Sequence, residues 1–219
     1  MQSRVLVLGA STLVVLLAVS ACDGSVFGVR GSGNVITESR DVSGFSEIAL
    51  FGSGTVRVDV NGTESLTVEA EDNIMPLLKT EVSNGRLELS VESSISPTTD
   101  ITYTVAAVAL DGVTIAGSGD VTATGIAADL FDVEISGSGR VEPTGTAASL
   151  VVEISGSGRY LGEGLEASIG TVRVSGSGEA VVNVTDDLDV DVSGSGGVQY
   201  VGEPTITESV SGSGRVTRR

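Results

Sequence analysis

The sequence predicts an all-β chain folded as a single-stranded parallel β-helix, a right-handed β-solenoid with coils of about 18–20 residues. Three observations predict it. Gly-Ser-Gly recurs at Gly31, Gly52, Gly117, Gly137, Gly156, Gly176, Gly194 and Gly212, and from Gly117 its starts advance by 20, 19, 20, 18 and 18 residues. A fixed period of that size marks one supersecondary unit stacked on itself. Apolar and polar residues alternate through every copy, the period of a half-buried strand. Aromatic residues make up only 3% of the chain and Trp is absent, which suits a thin core filled by Val, Ile, Leu and Ala.

The first 21 residues read as a lipoprotein signal peptide. Arg4 is the one charge before the apolar run Val5–Val19, which is short for a membrane span, and small residues follow. Val19-Ser20-Ala21-Cys22 resembles a lipobox, in which cleavage leaves a lipidated cysteine first. Cys22 is the only cysteine, so no internal disulfide is available to it. Cys22 is therefore the expected lipidation site, and the membrane the expected partner through that anchor, since two acyl chains suffice for stable attachment. Residues 22–34 are Gly/Ser-rich and read as a tether.

Residues 35–110 are the less regular beginning of a solenoid spanning 35–217. Segments 47–51 and 55–60 alternate around the second Gly-Ser-Gly, with Ile48, Leu50, Val56, Val58 and Val60 on one face. Leu66–Ala70 is a further strand. Ile74–Leu78 reads as one helical turn capped by Asp72 or Asn73. Asn84-Gly85 joins two strands in a hairpin, because both residues accept positive φ. Ile101–Leu110 reads as a strand feeding the repeats.

Residues 111–217 are the regular coils. In each, Val133 and Ile135 or their equivalents face inward, while Glu134, Ser136, Ser138 and Arg140 face outward. Glycine allows the strand to bend or backbone to approach closely. Stacking places Thr114, Glu134, Glu153, Arg173, Asp191 and Ser209 in one outward column, and Asp120, Arg140, Arg159, Glu179, Gly197 and Arg215 in another. The remaining core falls to Val121, Ile126, Leu130, Leu150, Leu165, Ile169, Val181, Val184, Leu188, Val201 and Ile206. The last copy is more polar, as an end coil must be.

Several functions are excluded. Histidine is absent, which rules out Ser-His-Asp and Cys-His catalysis and His-ligated metals. Twelve Lys and Arg against 29 Asp and Glu give a formal charge of −17, which repels nucleic acid. No Gly-x-Ser-x-Gly elbow or phosphate loop occurs. The expected catalytic, cofactor and metal sites are therefore none. Asp186, Asp187, Asp189 and Asp191 beside Arg173 are the carboxylates that a carbohydrate-active β-helix would use.

Gly31-Ser32-Gly33-Asn34-Val35, Asp41–Phe45, Leu66–Glu69, Asp72–Leu77, Val82–Leu87 and the serial Ser-Gly-Ser-Gly motifs together resemble the family named putative auto-transporter adhesin, head GIN domain. The resemblance spans residues 33–216. The tripeptide Gly-Ile-Asn is absent; Gly-Ser-Gly followed by Asn, Asp or Arg stands in its place. The resemblance implies a β-helical fold and a cell-envelope location, often lipid-anchored. The resulting expectation is a lipid-anchored envelope protein, non-catalytic, acting as an adhesin or as a surface interaction or scaffold module on an unidentified extracellular or envelope ligand. The alternative is a polysaccharide-binding or polysaccharide-cleaving protein.

Overall fold

A computed structural model describes residues 28–219. The expected signal peptide (1–21) and Cys22 lie outside the described residues. The strands in chain order are β1 (Val29–Arg30), β2 (Val35–Arg40), β3 (Glu47–Gly52), β4 (Thr55–Val60), β5 (Ser65–Glu71), β6 (Leu78–Ser83), β7 (Arg86–Val91), β8 (Ile95–Ser96) and β9 (Thr102–Ala107). They continue as β10 (Gly112–Gly117), β11 (Asp120–Gly137), β12 (Arg140–Gly156), β13 (Arg159–Gly176), β14 (Glu179–Gly194), β15 (Gly197–Val201), β16 (Thr205–Gly212) and β17 (Arg215–Arg218). A 3-10 turn, Met75–Leu77, precedes β6.

From β10 onward the chain is a β-solenoid of parallel coils, as the period predicts. Val133, Val152, Val172 and Val190 fall in register, and so do Ile135, Ile154, Val174 and Val192; all are buried. Both predicted outward columns are present in the predicted order. Each coil has three sides. One runs into the Gly-Ser-Gly corner, one leaves it, and a third closes the circuit through residues such as Ile126–Phe131.

The two glycines of each corner answer to different constraints. The first, as at Gly176, has φ +116, and a Cβ there would stand 2.7 Å from the carbonyl oxygen of Gly156 in the coil below. The second, as at Gly178, would drive a Cβ into the buried Ile154. Between them the serine N–H donates to the glycine carbonyl beneath, from Ser118 on Gly52 to Ser213 on Gly194, at 2.8–2.9 Å.

Strict alternation fails at the corner before each first side. Residues 129–130 and 168–169 both point outward, so Leu130 and Ile169 are each 48% exposed rather than in the core. Phe131 takes the interior place and is fully buried. It stacks on Leu150, then on Gly170, whose missing side chain is filled by Val184 and Leu188. Tyr160 is fitted the same way. Ala180 stacks above it, and a Cβ on Gly162 would overlap its ring.

The beginning of the chain departs from a simple spiral. β3 pairs with β10 on one edge and with β7 on the other, and β4 lies between β11 and β9. The coil made by β3 and β4 is thus sandwiched: residues 61–111 descend beneath it, build a lower layer, and return above it. That lower layer closes with antiparallel strands, β6 on β7, β5 on β9 and β2 on β5. Asn84 at φ 54 and Gly85 at φ 79 make the predicted hairpin turn. The expected helical turn is the 3-10 turn Met75–Leu77, whose N-cap is Ile74, with no side-chain cap from Asp72 or Asn73. The strand feeding the coils is Thr102–Ala107, shorter than 101–110.

Residues 28–34 belong to the fold rather than to a tether. Val29 and Arg30 pair with Ile95 and Ser96, and Gly31 N–H donates to the Ser96 carbonyl at 3.0 Å.

Candidate functional site

The outer wall of the coils carries two rows of hydroxyls. Ser136, Ser155, Ser175, Ser193 and Ser211 align before the corner, and Ser118, Ser138, Ser157, Ser177, Ser195 and Ser213 occupy the corner itself. Coils spaced about 4.8 Å apart repeat these groups along the solenoid axis. Charged columns flank them. Arg173 pairs with Glu153 at 3.0 Å and Arg159 with Glu179 at 3.6 Å, all exposed. Such pairs contribute about 0–1 kcal/mol each.

The structure does not gather the aspartates singled out in the sequence. Asp186, Asp187, Asp189 and Asp191 are exposed along one coil. Asp191 stacks beside Arg173, but the Arg173 guanidinium turns to Glu153.

A different acidic groove forms where β3, β7 and the coils meet. Glu47, Arg86, Asp132, Glu134 and Glu153 surround Gly112 and Thr114 in a depression of about 200 Å³. Arg86 donates from Nε and Nη2 to Glu47 Oε2, at 2.8 and 2.7 Å. Loss of solvent at the groove raises the pKa of Asp132 above its ordinary value, and the negative charges of Glu153, Glu134 and Glu47 raise it further against the pull of Arg86. The groove joins segments far apart in sequence. Reading it from the chain alone requires knowing that β10 sits on β3.

A second group, also missed by the sequence reading, lies under the cap. Glu71 is 1% exposed. Its carboxylate accepts from Gly33 N–H at 2.6 Å, from Thr98 N–H at 2.9 Å and from the Thr98 hydroxyl. The Thr98 hydroxyl bond, ahead of the backbone donors, holds its pKa below the usual value even though burial opposes this. A Cβ on Gly31 would overlap the carboxylate, so the first Gly-Ser-Gly wraps a buried charge instead of turning a coil. Beside it Asp72 accepts from Asn34 Nδ2 at 2.9 Å and Ser32 Oγ at 2.5 Å, and these bonds lower its pKa. The run Glu71-Asp72-Asn73 carried the signal, but as a latch rather than as a helix cap.

Among the described residues no group of three or more His, Cys, Asp or Glu is placed to hold a metal ion. No helix among them is long and apolar enough to cross a membrane.

Comparison with known proteins agrees with the architecture. Residues 44–204 match the family described as putative auto-transporter adhesin, head GIN domain. No curated protein matches the chain. Among solved structures, a putative adhesin from Bacteroides fragilis NCTC 9343 superposes with TM-score 0.71 at 24% identity, covering 87% of this chain and 100% of that one. A putative lipid binding protein from Parabacteroides distasonis ATCC 8503 superposes with TM-score 0.59 at 23% identity, covering 87% and 99%. A putative adhesin from the same strain gives TM-score 0.55 at 19% identity, covering 87% and 99%. At these identities the likeness is one of fold. The family match covers most of the chain, which therefore belongs to the head GIN domain family.

Proposed function

We propose that this member of the head GIN domain family is a lipid-anchored cell-envelope protein that acts without catalysis, as an adhesin or surface interaction module. The observation that carries the reading is the periodic outer wall. Two in-register serine rows offer the same weak hydroxyl contacts coil after coil, flanked by two columns of mixed charge. Weak contacts repeated on a rigid support sum by avidity when the ligand is itself repetitive or surface-bound. Cys22 is the proposed attachment point, and the compartment is the periplasmic or external face of the envelope.

The test displays the full chain on bacterial cells and measures their retention on immobilised glycans and extracellular-matrix proteins. Retention that depends on the chain supports the reading; retention equal to that of cells lacking it overturns it. Cys22→Ser should move the protein from the membrane to the soluble fraction, and unchanged membrane fractionation would overturn the anchor.

The acidic groove favours a second reading, polysaccharide cleavage. A carboxyl whose pKa is raised by its surroundings, set beside further carboxyl groups, is the arrangement that can separate an acid from a base in glycoside hydrolysis. That reading requires hydrolysis of a polysaccharide that is lost in both Asp132→Asn and Glu153→Gln.

A further inference from the structure

We propose that the notch above Gly197 is a binding subsite for one unit of a neutral saccharide. This rests on the surface-binding reading and states where that surface binds and what. The outward column after each corner runs Asp120, Arg140, Arg159, Glu179, Gly197, Arg215. Gly197 alone in it lacks a side chain. The fold does not demand glycine there: its φ is outside the left-handed region, and an added Cβ would meet nothing nearer than the Arg215 carbonyl oxygen at 3.8 Å. Gly196, its neighbour, is different, because a Cβ there would lie 2.6 Å from the Gly178 carbonyl oxygen. Gly196 is a structural glycine and Gly197 is a gap.

The gap is a depression of about 250 Å³ between Glu179 and Arg215, walled by Ser177, Ser195, Ser213 and Gln199. Its floor is fixed backbone: Gly197 N–H donates to the Gly178 carbonyl at 3.0 Å, and β15 is paired on both edges. Glu179 and Arg215 stand two coils apart, about 10 Å between their backbones. Pockets for drug-sized ligands run about 300–1,000 Å³, so this one takes a single small unit with the rest of the ligand outside.

The wall specifies the chemistry of that unit. Three serine hydroxyls both donate and accept, the Gln199 amide does both, the Glu179 carboxylate only accepts and the Arg215 guanidinium only donates. A ring bearing several hydroxyls satisfies all of these at once. The formal charge of −17 disfavours a polyanionic glycan, and the Arg215 guanidinium in the notch wall disfavours a cationic unit there, which leaves a neutral one. One subsite of this size should bind at about millimolar Kd. Display of many copies on a surface would supply the avidity.

The experiment titrates the isotope-labelled full chain, in detergent micelles, with maltotriose, cellotriose and mannotriose. At least one should shift the amide signals of Gly178, Gly196, Gly197 and Gly214 and saturate at about millimolar concentration. Gly197→Ala should keep the response. Gly197→Arg should fill the notch and weaken binding by about tenfold or more with an unchanged melting curve. Arg215→Gln, which leaves the corner backbone intact, should weaken it as well. Silence with all three sugars, shifts confined to other residues, or full binding by Gly197→Arg overturns the subsite. If cells are retained on glycans while these amides stay silent, the notch is wrong and the adhesive reading stands. If the amides respond but cells are not retained, the adhesive reading fails and the notch stands.

Discussion

Residues 112–219 and residues 28–107 bury the same kind of aliphatic interior by different means. In the coils every strand lies parallel on its predecessor, and each corner repeats one glycine conformation and one serine-to-carbonyl hydrogen bond. In the cap antiparallel pairs join the parallel ones, chain order no longer follows stacking order, and the polar contacts occur once each. Arg40, for example, donates to the carbonyl oxygens of Leu78 and Met75 at 2.7 and 3.2 Å, tying β2 to the 3-10 turn. Repetition lets a coil be extended by copying. Closing its end requires groups that no copy supplies, because the lowest coil would otherwise present an open strand edge and bare core. The cap covers that end with Ile74, Met75 and Leu78, all buried.

The sharpest way to break the comparison is to damage a repeated corner. Gly176→Val places a β-branched residue at φ +116 and a Cβ 2.7 Å from the Gly156 carbonyl oxygen. It should cost about 3 kcal/mol or more, from backbone strain and overlap together. A denaturant midpoint equal to wild type would show that the corner is not the constraint. Next in size is Glu71→Ala, which removes the shared acceptor of Gly33 and Thr98 in the cap. It should release residues 28–34, seen as faster hydrogen exchange at Gly33 and Thr98, while exchange in β12 and β13 stays slow. Acid should mimic it. The folded pKa of Glu71 is depressed, so its stabilisation is complete above the unfolded value of 4.5 and disappears as pH falls through the lower folded value.

Two milder changes separate glycine as hinge from glycine as clearance, and packing from hydrogen bonding. Gly85 has φ +79 but open space around it, so Gly85→Ala should cost only about 1 kcal/mol, well below the corner variant. Tyr160 is the coils' largest compromise. Its ring is fully buried, its hydroxyl has no hydrogen-bond partner among the described residues, and burial pushes the phenol well above its ordinary pKa. Tyr160→Phe keeps the ring and removes the orphan hydroxyl, and should raise stability by about 1 kcal/mol in a thermal melt.

Repetition is also what made one region legible and the other not. Coil length, inward and outward faces and both charge columns follow from aligning copies of Ser-Gly-Ser-Gly, because stacking converts a sequence period directly into register. The misplaced Leu130 and Ile169 lie at a corner where two successive side chains turn outward, and a period of two has no means of marking that. The cap has no internal copy to align. The sandwiching of β3 between β7 and β10 is a long-range choice that local propensity does not encode. The same holds for the groove: Glu47, Arg86 and Asp132 reveal no shared purpose until that crossing is known.

The groove lies on the seam between the two regions, and Asp132 measures what the seam costs. Its carboxylate is partly desolvated by the groove and faces Glu47 from the first coil as well as Glu134 and Glu153 from its own wall, with Arg86 as the opposing charge. Because its folded pKa is raised, the folded state holds its proton more tightly than the unfolded chain does. The penalty is therefore full above the folded pKa and fades as pH falls towards the unfolded value of 3.8. Asp132→Asn should consequently raise the melting temperature slightly at pH 7, and the gain over wild type should shrink as the buffer is taken below pH 4. An Asn variant that is less stable at neutral pH would mean that the carboxylate is held by contacts worth more than the repulsion. The seam would then be a built acidic site rather than the electrostatic cost of joining the cap to the coils.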